Sequence, residues 1–320
     1  MKKIYYLLSS LTLITMPFAK FPRTEISNGL IRATIYLPDA GKGYYRGTRF
    51  DWSGNMASLE YSGHNYFGQW FTKYSPEMHD VIMGPVEEFA PLDYAEIKPG
   101  GSFIKIGVGV VYKQDDEPYT FSRLYQLLNH GKWSVRKKSD QVLFIHDLED
   151  KTYSYHYEKT VRLTKDKPEL ILSHTLKNTG VRTIETSVYD HNFFVIDKQP
   201  IGPGMVVKFP FKLKGNGVGF GEIAEIQDNQ ISFLRTIGNG EHAECYSLEG
   251  FGPSADDYEI RIENRITGAG VRITCDQPFL KLAFWACPTT LCPEPYIKIM
   301  VEPGKEISWT IKYEFYTLTK

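Results

Sequence analysis

The chain has 320 residues, and its 37 Lys and Arg nearly balance its 38 Asp and Glu. Such a balance gives no overall field to attract a phosphate backbone, and the basic residues form no stripe, so we expect no nucleic-acid partner. With 42% hydrophobic and 14% aromatic residues, most of the chain is too apolar to be disordered. The 21 Tyr and 19 Phe suit carbohydrate, because sugar rings stack on aromatic planes, but they are also ordinary strand formers.

The N-terminus has the pattern of a secretory signal peptide over residues 1–20. Two lysines precede an apolar run from Ile4 to Ala19, interrupted only by Ser and Thr, which matches a basic region, a hydrophobic region and a small residue near the cleavage point. The alternative is a buried N-terminal strand or helix. The run is shorter than the ~20 apolar residues that cross a bilayer, so we expect no membrane span. We therefore expect an exported protein, periplasmic or secreted.

After the leader, the sequence predicts antiparallel strands separated by turns. Residues 23–36 alternate in polarity around an Asn-Gly pair that is typical of a hairpin turn. The long stretch 72–102 is irregular and contains four prolines. We predict a strand pair within 56–71, a single strand over 103–112 and successive strands over 133–195. The same pattern continues over 205–236, 242–249, 257–275 and 279–286, with further strands at 296–301 and 307–316. Spacings of this kind favour antiparallel sheets over βαβ units, and no change of composition marks a linker, so residues 21–320 are predicted to form a single β domain.

The polar loop 38–54 carries two arginines, Arg46 and Arg49, among several aromatic residues. Loops present side chains without cost to the core, so they often hold binding residues. An arginine fork suits hydroxyl pairs and carboxylates. Arg46 or Arg49 is therefore a candidate substrate contact, and a surface ion pair is the alternative.

The segment 187–193 places His191 in the middle of a predicted strand. Side chains alternate between the two faces of a strand, so His191 shares a face with Ser187 and Tyr189. This polar row is better suited to a ligand than to a core. The alternative is a buried histidine hydrogen-bonded to a neighbour.

Near the C-terminus, Glu294 lies between Pro293 and Pro295. Each proline fixes its own φ and restricts the residue before it. We therefore expect a stiff loop at the edge of a strand that presents a preorganised carboxylate. An exposed loop glutamate without a function is the alternative.

The four cysteines, Cys245, Cys275, Cys287 and Cys292, all lie in the last quarter of the chain. In an exported protein they could form disulfides, with three possible pairings. None has the spacing of a zinc site, so no metal is predicted.

Two segments together resemble the galactose mutarotase-like superfamily, which includes the aldose 1-epimerases and their hexose-6-phosphate relatives. Residues 190–194 (Asp-His-Asn-Phe-Phe) resemble the strand that supplies the general acid in these proteins. Residues 292–295 (Cys-Pro-Glu-Pro), followed by Glu-Pro-Gly at 302–304, resemble the segment that supplies the base. The resemblance spans roughly residues 23–318 and implies an all-β fold, a large antiparallel β-supersandwich of the galactose mutarotase-like type. It implies no cofactor.

The resemblance also assigns roles to individual residues. It implies that His191 is the acid, Glu294 the base, and Arg46 or Arg49 an arginine near the sugar. Tyr189 and Trp285 are further candidates for substrate contact. Superfamily members usually carry another histidine in a His-Gly motif, whereas this chain has Met83 before Gly84. His79, four residues upstream, is the expected substitute.

The leading functional hypothesis is interconversion of the α and β anomers of a hexose by acid/base catalysis. It requires His191 and Glu294 to face each other over a groove wide enough for one pyranose ring, and it expects the nearby carboxylate to raise the histidine pKa. One rival is a lyase or another sugar-processing enzyme on the same fold, in which Tyr189 and His191 abstract a proton beside a uronate held by Arg46 or Arg49. The other rival is a non-catalytic module that binds a monosaccharide or oligosaccharide.

Overall fold

The computed structural model describes residues 21–319, and within that range the chain is built almost entirely from strands. The helices among these residues are two short 3₁₀ turns, Ile196–Lys198 and Ala255–Asp257. The predicted signal peptide at 1–20 lies outside the described residues. Among the residues that are described, no helix is long and apolar enough to cross a membrane.

The strands, numbered in chain order, are β1 Arg23–Ser27, β2 Ile31–Tyr36, β3 Met56–Tyr61, β4 His64–Asn65, β5 Gly84–Phe89, β6 Ser102–Lys105, β7 Gly109–Tyr112, β8 Leu127–Asn129, β9 Lys132–Lys137, β10 Gln141–Leu148, β11 Tyr155–Leu163, β12 Glu169–Asn178, β13 Ile184–Phe193, β14 Met205–Lys208, β15 Ala224–Gln227, β16 Gln230–Phe233, β17 Ala243–Leu248, β18 Glu259–Asn264, β19 Ala269–Cys275, β20 Lys281–Cys287, β21 Thr290–Val301 and β22 Glu306–Thr317.

Two large antiparallel sheets carry the architecture. One has ten strands in the order β15-β16-β14-β18-β19-β22-β12-β11-β10-β9, and the other has five in the order β17-β20-β21-β13-β5. A four-stranded sheet, β1 to β4, and a three-stranded sheet, β6 to β8, complete the fold. The predicted all-β, antiparallel supersandwich is therefore confirmed.

The main core lies between the two large sheets. It takes apolar side chains from the inner face of the five-stranded sheet, such as Val188 and Ile297, and from the ten-stranded sheet, such as Leu172 and Tyr313. A second apolar cluster lies on the other side of the five-stranded sheet and includes Phe193. Because side chains alternate along a strand, β13 contributes to both clusters, and its outer face is free to line a site.

Some predicted elements are confirmed and others are corrected. The hairpin at 23–36 is present, with Gly29 in the turn. The single strand predicted over 103–112 is two strands, because the chain turns at Gly107, whose φ is +76° and whose Cβ position would lie 2.7 Å from the Asp51 carboxyl group. The stretch 72–102, predicted to be irregular, contains the fully buried strand β5.

Candidate active site

A cavity of about 540 Å³ lies on the outer face of the five-stranded sheet. This volume is in the range of small-molecule sites. Four alternate residues of β13, Ser187, Tyr189, His191 and Phe193, line it. The shared face that the sequence predicted for His191, Tyr189 and Ser187 is therefore present, and it opens on the cavity.

The pairing of β13 with β21 brings His191 and Glu294 together. Tyr189 pairs with Tyr296 across these antiparallel strands. His191 is two residues after Tyr189 on β13 and Glu294 is two residues before Tyr296 on β21, so the two residues lie opposite each other. Cross-strand neighbours on one face have Cβ atoms about 5 Å apart. The His191 Nε2 and Glu294 Oε1 atoms are 3.3 Å apart, with 4% and 12% of the two side chains exposed.

This arrangement corrects two expectations from the sequence. Glu294 is not in a loop at the edge of a strand but within β21, which runs from Thr290 to Val301 and lies inside the sheet. The two side chains do not face each other across the width of a pyranose ring, because their strands are direct neighbours. They form one contact pair on the floor of the cavity.

The prolines on either side of Glu294 interrupt the ladder between β13 and β21. The pairing runs to Tyr189 with Tyr296, and the next bridge joins Phe194 to Leu291. Proline has no N–H to donate to a ladder. The buried Asn192 side chain supplies a replacement bond, because its Nδ2 donates to the Pro293 carbonyl oxygen at 3.1 Å.

Asn192 is itself held from the second large sheet. The Tyr313 hydroxyl of β22 donates to Asn192 Oδ1 at 2.7 Å. Both ends of this amide are therefore bonded, and its position is fixed between the two sheets. The backbone that carries Glu294 is tied to the strand that carries His191 directly behind the contact pair.

Burial sets the protonation of the pair. It raises the pKa of the Glu294 carboxyl from its ordinary value to about 7, against the opposing effect of Arg49. Burial, reinforced by the positive charge of Arg49, lowers the pKa of His191 well below its ordinary value. The expectation that a nearby carboxylate would raise the His191 pKa is therefore wrong, because desolvation of the imidazolium dominates.

The His191 ring is positioned by aromatic neighbours. It stacks on Phe193 with ring centroids 3.9 Å apart, and the edge of Trp285 lies 6.3 Å away, centroid to centroid. The Nδ1 atom is buried and has no hydrogen-bond partner in the described structure. Nε2, the atom that contacts Glu294, is therefore the ring nitrogen available for proton transfer.

Arg49 belongs to a buried ionic network at one side of the cavity. Its Nε donates to Glu88 Oε2 at 2.7 Å and its second nitrogen donates to the Tyr189 hydroxyl at 2.9 Å. The same tyrosine donates to Glu88 at 2.6 Å, and Lys105 donates to the other Glu88 oxygen at 3.2 Å. The guanidinium also lies 3.9 Å from the ring centre of Phe121.

The other predicted contact residues divide into two groups. Trp285 and His79 line the cavity, as do Arg49 and Tyr189. Arg46 does not line it, and its guanidinium donates to the carbonyl oxygens of Ala40 and Gly41. Of the two candidate arginines, only Arg49 reaches the site. Met83, which precedes Gly84 where superfamily members usually have a histidine, is buried in the second apolar cluster.

Several cavity residues were not singled out from the sequence as contacts. Tyr296 and Lys281 share the cavity face of their strands with Glu294 and Trp285 at spacings of two and four residues, so the period-two rule could have found them. Trp70 and Phe121 come from loops, where no such rule applies. The unpredicted lining residues that matter most are Trp70, Glu88, Tyr119, Phe121, Glu244, Tyr246, Lys281 and Tyr296.

The cysteines and possible metal ligands add no further centre in the described part of the chain. All four cysteines are free thiols, so none of the three disulfide pairings considered is formed in this structure. Within residues 21–319, no group of three or more His, Cys, Asp or Glu side chains is arranged to hold a metal ion.

Comparisons with known proteins identify the fold. The chain matches no protein-family model and no curated protein sequence. Among solved structures, it is similar to a galactose mutarotase related enzyme from Lactobacillus acidophilus, with a TM-score of 0.57 and 10% identity over 93% of this chain and 98% of that one. It is also similar to an aldose epimerase homologue from C. elegans, with a TM-score of 0.55 and 12% identity over 93% and 99% of the two chains.

A third similar structure is a galactose mutarotase-like protein from Clostridium acetobutylicum, with a TM-score of 0.55 and 15% identity over 92% of this chain and 95% of that one. Agreement over nearly the whole length of both chains shows a common fold. Identities this low do not carry an activity from one protein to another, because one fold hosts many functions.

Proposed function

We propose that this chain, which has the galactose mutarotase-like fold, is an aldose 1-epimerase-like enzyme that interconverts the α and β anomers of a sugar. The observation that carries the proposal is the 3.3 Å contact between His191 Nε2 and Glu294 Oε1 on the cavity floor. The C1 hydroxyl oxygen and the ring oxygen of a pyranose are bonded to the same carbon. An acid and a base in direct contact, as these two are, can therefore reach both oxygens of one sugar.

The proposed reaction moves one proton in each direction. Glu294 takes the proton of the C1 hydroxyl while His191 Nε2 gives a proton to the ring oxygen, and the bond between C1 and the ring oxygen breaks as the C1 carbonyl forms. The aldehyde end rotates about the bond between C1 and C2. Reclosure reverses both transfers, so the pair returns to its starting state without a cofactor.

The protonation of the pair supports this scheme when the two groups are treated as a unit. With the pKa of Glu294 at about 7, the pair carries one shared proton in a large fraction of molecules at neutral pH. In the free protein that proton resides on Glu294, because burial disfavours the charged imidazole of His191. It reaches Nε2 across the 3.3 Å contact, and transfer to His191 creates the acid and the base together.

The surrounding side chains are proposed to hold the sugar. Trp285 presents an aromatic surface beside the His191 ring, and such surfaces stack on the apolar faces of sugars. Arg49 and Tyr189 are hydrogen-bonded to Glu88, so their side chains lose little conformational entropy when a ligand binds. His79 lies nearer the solvent, with 29% of its side chain exposed, and is proposed to contact sugar hydroxyls at the cavity mouth.

The same contacts weigh against the lyase alternative. A lyase on this site needs Tyr189 as a base, but burial raises the pKa of the Tyr189 hydroxyl well above its ordinary value. It also needs Arg49 to neutralise a uronate, whereas Arg49 is already paired with the Glu88 carboxylate at 2.7 Å. Neither group is free for that chemistry.

The test is polarimetry on freshly dissolved α-glucose and α-galactose, with Glu294→Gln and His191→Asn variants. Loss of a positioned acid or base typically costs about 10²- to 10⁴-fold in rate, so both variants are expected to fall to the uncatalysed background. His156→Asn, on β11 and outside the cavity, is the matched control and should keep full activity.

Two outcomes would overturn the proposal. Wild-type protein that binds these sugars but does not accelerate anomer exchange would instead support a binding module. Variants at 191 and 294 that retain the wild-type rate would show that catalysis, if present, does not use this pair. Circular dichroism spectra that match wild type would exclude misfolding as the cause of any loss.

A further inference from the structure

The cavity extends well beyond the space that one sugar ring needs over the catalytic pair. Its lining comes from all five strands of the sheet, from Glu244 on β17 to Glu88 on β5. Four strand spacings correspond to about 19 Å, which is several times the width of a six-membered ring. Counted from β17, Glu294 lies on the third strand and His191 on the fourth, so unfilled cavity remains on the β17 side.

That side carries a group of side chains that we call the rim cluster: Glu244, Tyr246, Lys281 and Tyr296. The Lys281 Nζ atom lies 4.8 Å from the ring centre of Tyr296 and 5.9 Å from that of Tyr246. Among the described residues, no carboxylate lies within 4.0 Å of the Lys281 ammonium. Its ammonium donors are therefore positioned by aromatic rings and remain free for a ligand.

Tyr246 is the exposed member of the rim cluster. It is 63% exposed, which is high for a large aromatic residue, and it still lines the cavity. It lies at an irregularity in β17, since the pairing with β20 shifts between Cys245 and Leu248. Such bulges re-aim a side chain and are common beside active sites.

The sheet register places the rim cluster directly beside the catalytic pair. Lys281 pairs with Tyr296 across β20 and β21, and Tyr296 is two residues from Glu294 on the same face. The small Ala283, which pairs with Glu294, separates Lys281 from Trp285 on β20 and leaves the floor open between them. A ligand bound over Glu294 can therefore continue to Tyr246 without crossing a large side chain of β20.

The chemistry of the rim cluster fits a neutral sugar unit. An aromatic face, an ammonium donor and a carboxylate acceptor together match the apolar face and the hydroxyls of a pyranose. An anionic group fits less well, because Glu244 would repel it beside Lys281. The charge of Lys281 lowers the pKa of Glu294 and that of Glu244 raises it.

We propose that the rim cluster is a subsite for a second, neutral sugar unit, so that the substrate is a reducing disaccharide or oligosaccharide whose reducing-end ring lies on His191 and Glu294. This inference rests on the proposed function for the assignment of the reducing end. The binding of a second sugar unit at Tyr246 is separable from catalysis and can be tested separately.

The kinetic test compares glucose with maltose, cellobiose and lactose by polarimetry. Wild-type protein is expected to show a higher kcat/KM for at least one disaccharide than for glucose. Loss of one aromatic contact is expected to lower that disaccharide's kcat/KM about fivefold more than that of glucose in Tyr246→Ala. Tyr246→Phe, which keeps the ring, should restore most of the difference.

Leu280→Ala is the control, because Leu280 is 51% exposed and lies outside the cavity lining. It should leave the ratio between disaccharide and glucose unchanged. A Tyr246→Ala variant that affects glucose and every disaccharide equally, or affects neither, would overturn the inference.

A binding test keeps the inference independent of the reaction. Calorimetry with methyl β-maltoside and methyl β-glucoside, whose blocked C1 cannot mutarotate, is expected to show tighter binding of the maltoside in wild type and loss of that preference in Tyr246→Ala. If no sugar is mutarotated but this preference is found, the proposed function fails and the subsite stands. If mutarotation is found without any preference, the reverse holds.

Discussion

Replacing Glu294 with Gln should stabilise the folded protein above neutral pH while abolishing activity. The Glu294 side chain is 12% exposed, and burial raises the pKa of its carboxyl from 4.5 to about 7. A glutamine of the same shape carries no charge at any pH. The variant therefore removes the cost of a buried carboxylate and keeps the packing.

The size and direction of the effect follow from proton linkage. Below pH 4.5, the ordinary value, the folded and unfolded chains both carry a protonated carboxyl, and the charge contributes nothing. As the pH rises to about 7, the folded chain keeps a proton that the unfolded chain has released, so wild-type stability falls. Over this interval the loss reaches about 3 kcal/mol, and it stays constant at higher pH.

The assay is urea unfolding of wild type and Glu294→Gln at a series of pH values from about 4 to about 8. The difference in unfolding free energy should be near zero at the acid end and rise to as much as about 3 kcal/mol at the alkaline end. Glu306→Gln, at an exposed position, is the control and should show no such rise. Parallel curves for wild type and Glu294→Gln would refute the assignment of a buried, proton-holding carboxyl.

Two further predictions concern the pH dependence of activity and the role of Asn192. The kcat/KM for anomer exchange, corrected for the uncatalysed reaction, should fall about tenfold per pH unit above a pH of about 7. The reason is that the pair loses its shared proton as Glu294 ionises. A value that stays level to pH 9 in polarimetry would contradict this. Asn192→Ala should cost about 1 to 3 kcal/mol of stability by urea unfolding, since it leaves the Tyr313 hydroxyl and the Pro293 carbonyl without this partner. It should also lower kcat more than it raises KM, because Glu294 loses its positioning; an unchanged kcat in the folded variant would argue against that role.

Period-two alternation was enough to predict the cavity face of β13. Ser187, Tyr189 and His191 line one cavity, as a strand requires. The all-β class followed from the same pattern and from the turn residues between strands. These features depend on local sequence, where the physical rule acts over a few residues.

The contact between His191 and Glu294 depends on pairing between distant strands, which local rules do not determine. The prolines around Glu294 favoured a loop, whereas the structure keeps them in a strand with the help of the Asn192 amide. A proline inside a sheet is rare because of its missing N–H. The replacement hydrogen bond comes from Asn192, about a hundred residues earlier in the chain, so no local sequence pattern predicted it.

The protonation states of His191 and Glu294 could not be predicted from the sequence either. The expectation of a charged His191 considered only the neighbouring carboxylate, and the structure adds burial and the positive charge of Arg49. Likewise, Arg46 and Arg49 could not be distinguished in the loop sequence. Only the buried pairing of Arg49 with Glu88 shows which arginine reaches the cavity.

The central claim is that one sugar ring meets both members of the catalytic pair at its anomeric carbon. The most direct measurement is a crystal structure of the Glu294→Gln variant soaked with glucose. We expect a ring over the outer face of β13 and β21, with its C1 hydroxyl and ring oxygen each within hydrogen-bonding distance of the side chain at 294 or of His191 Nε2. A ring bound in the cavity with its anomeric carbon away from both side chains would show that this pair is not the catalytic centre.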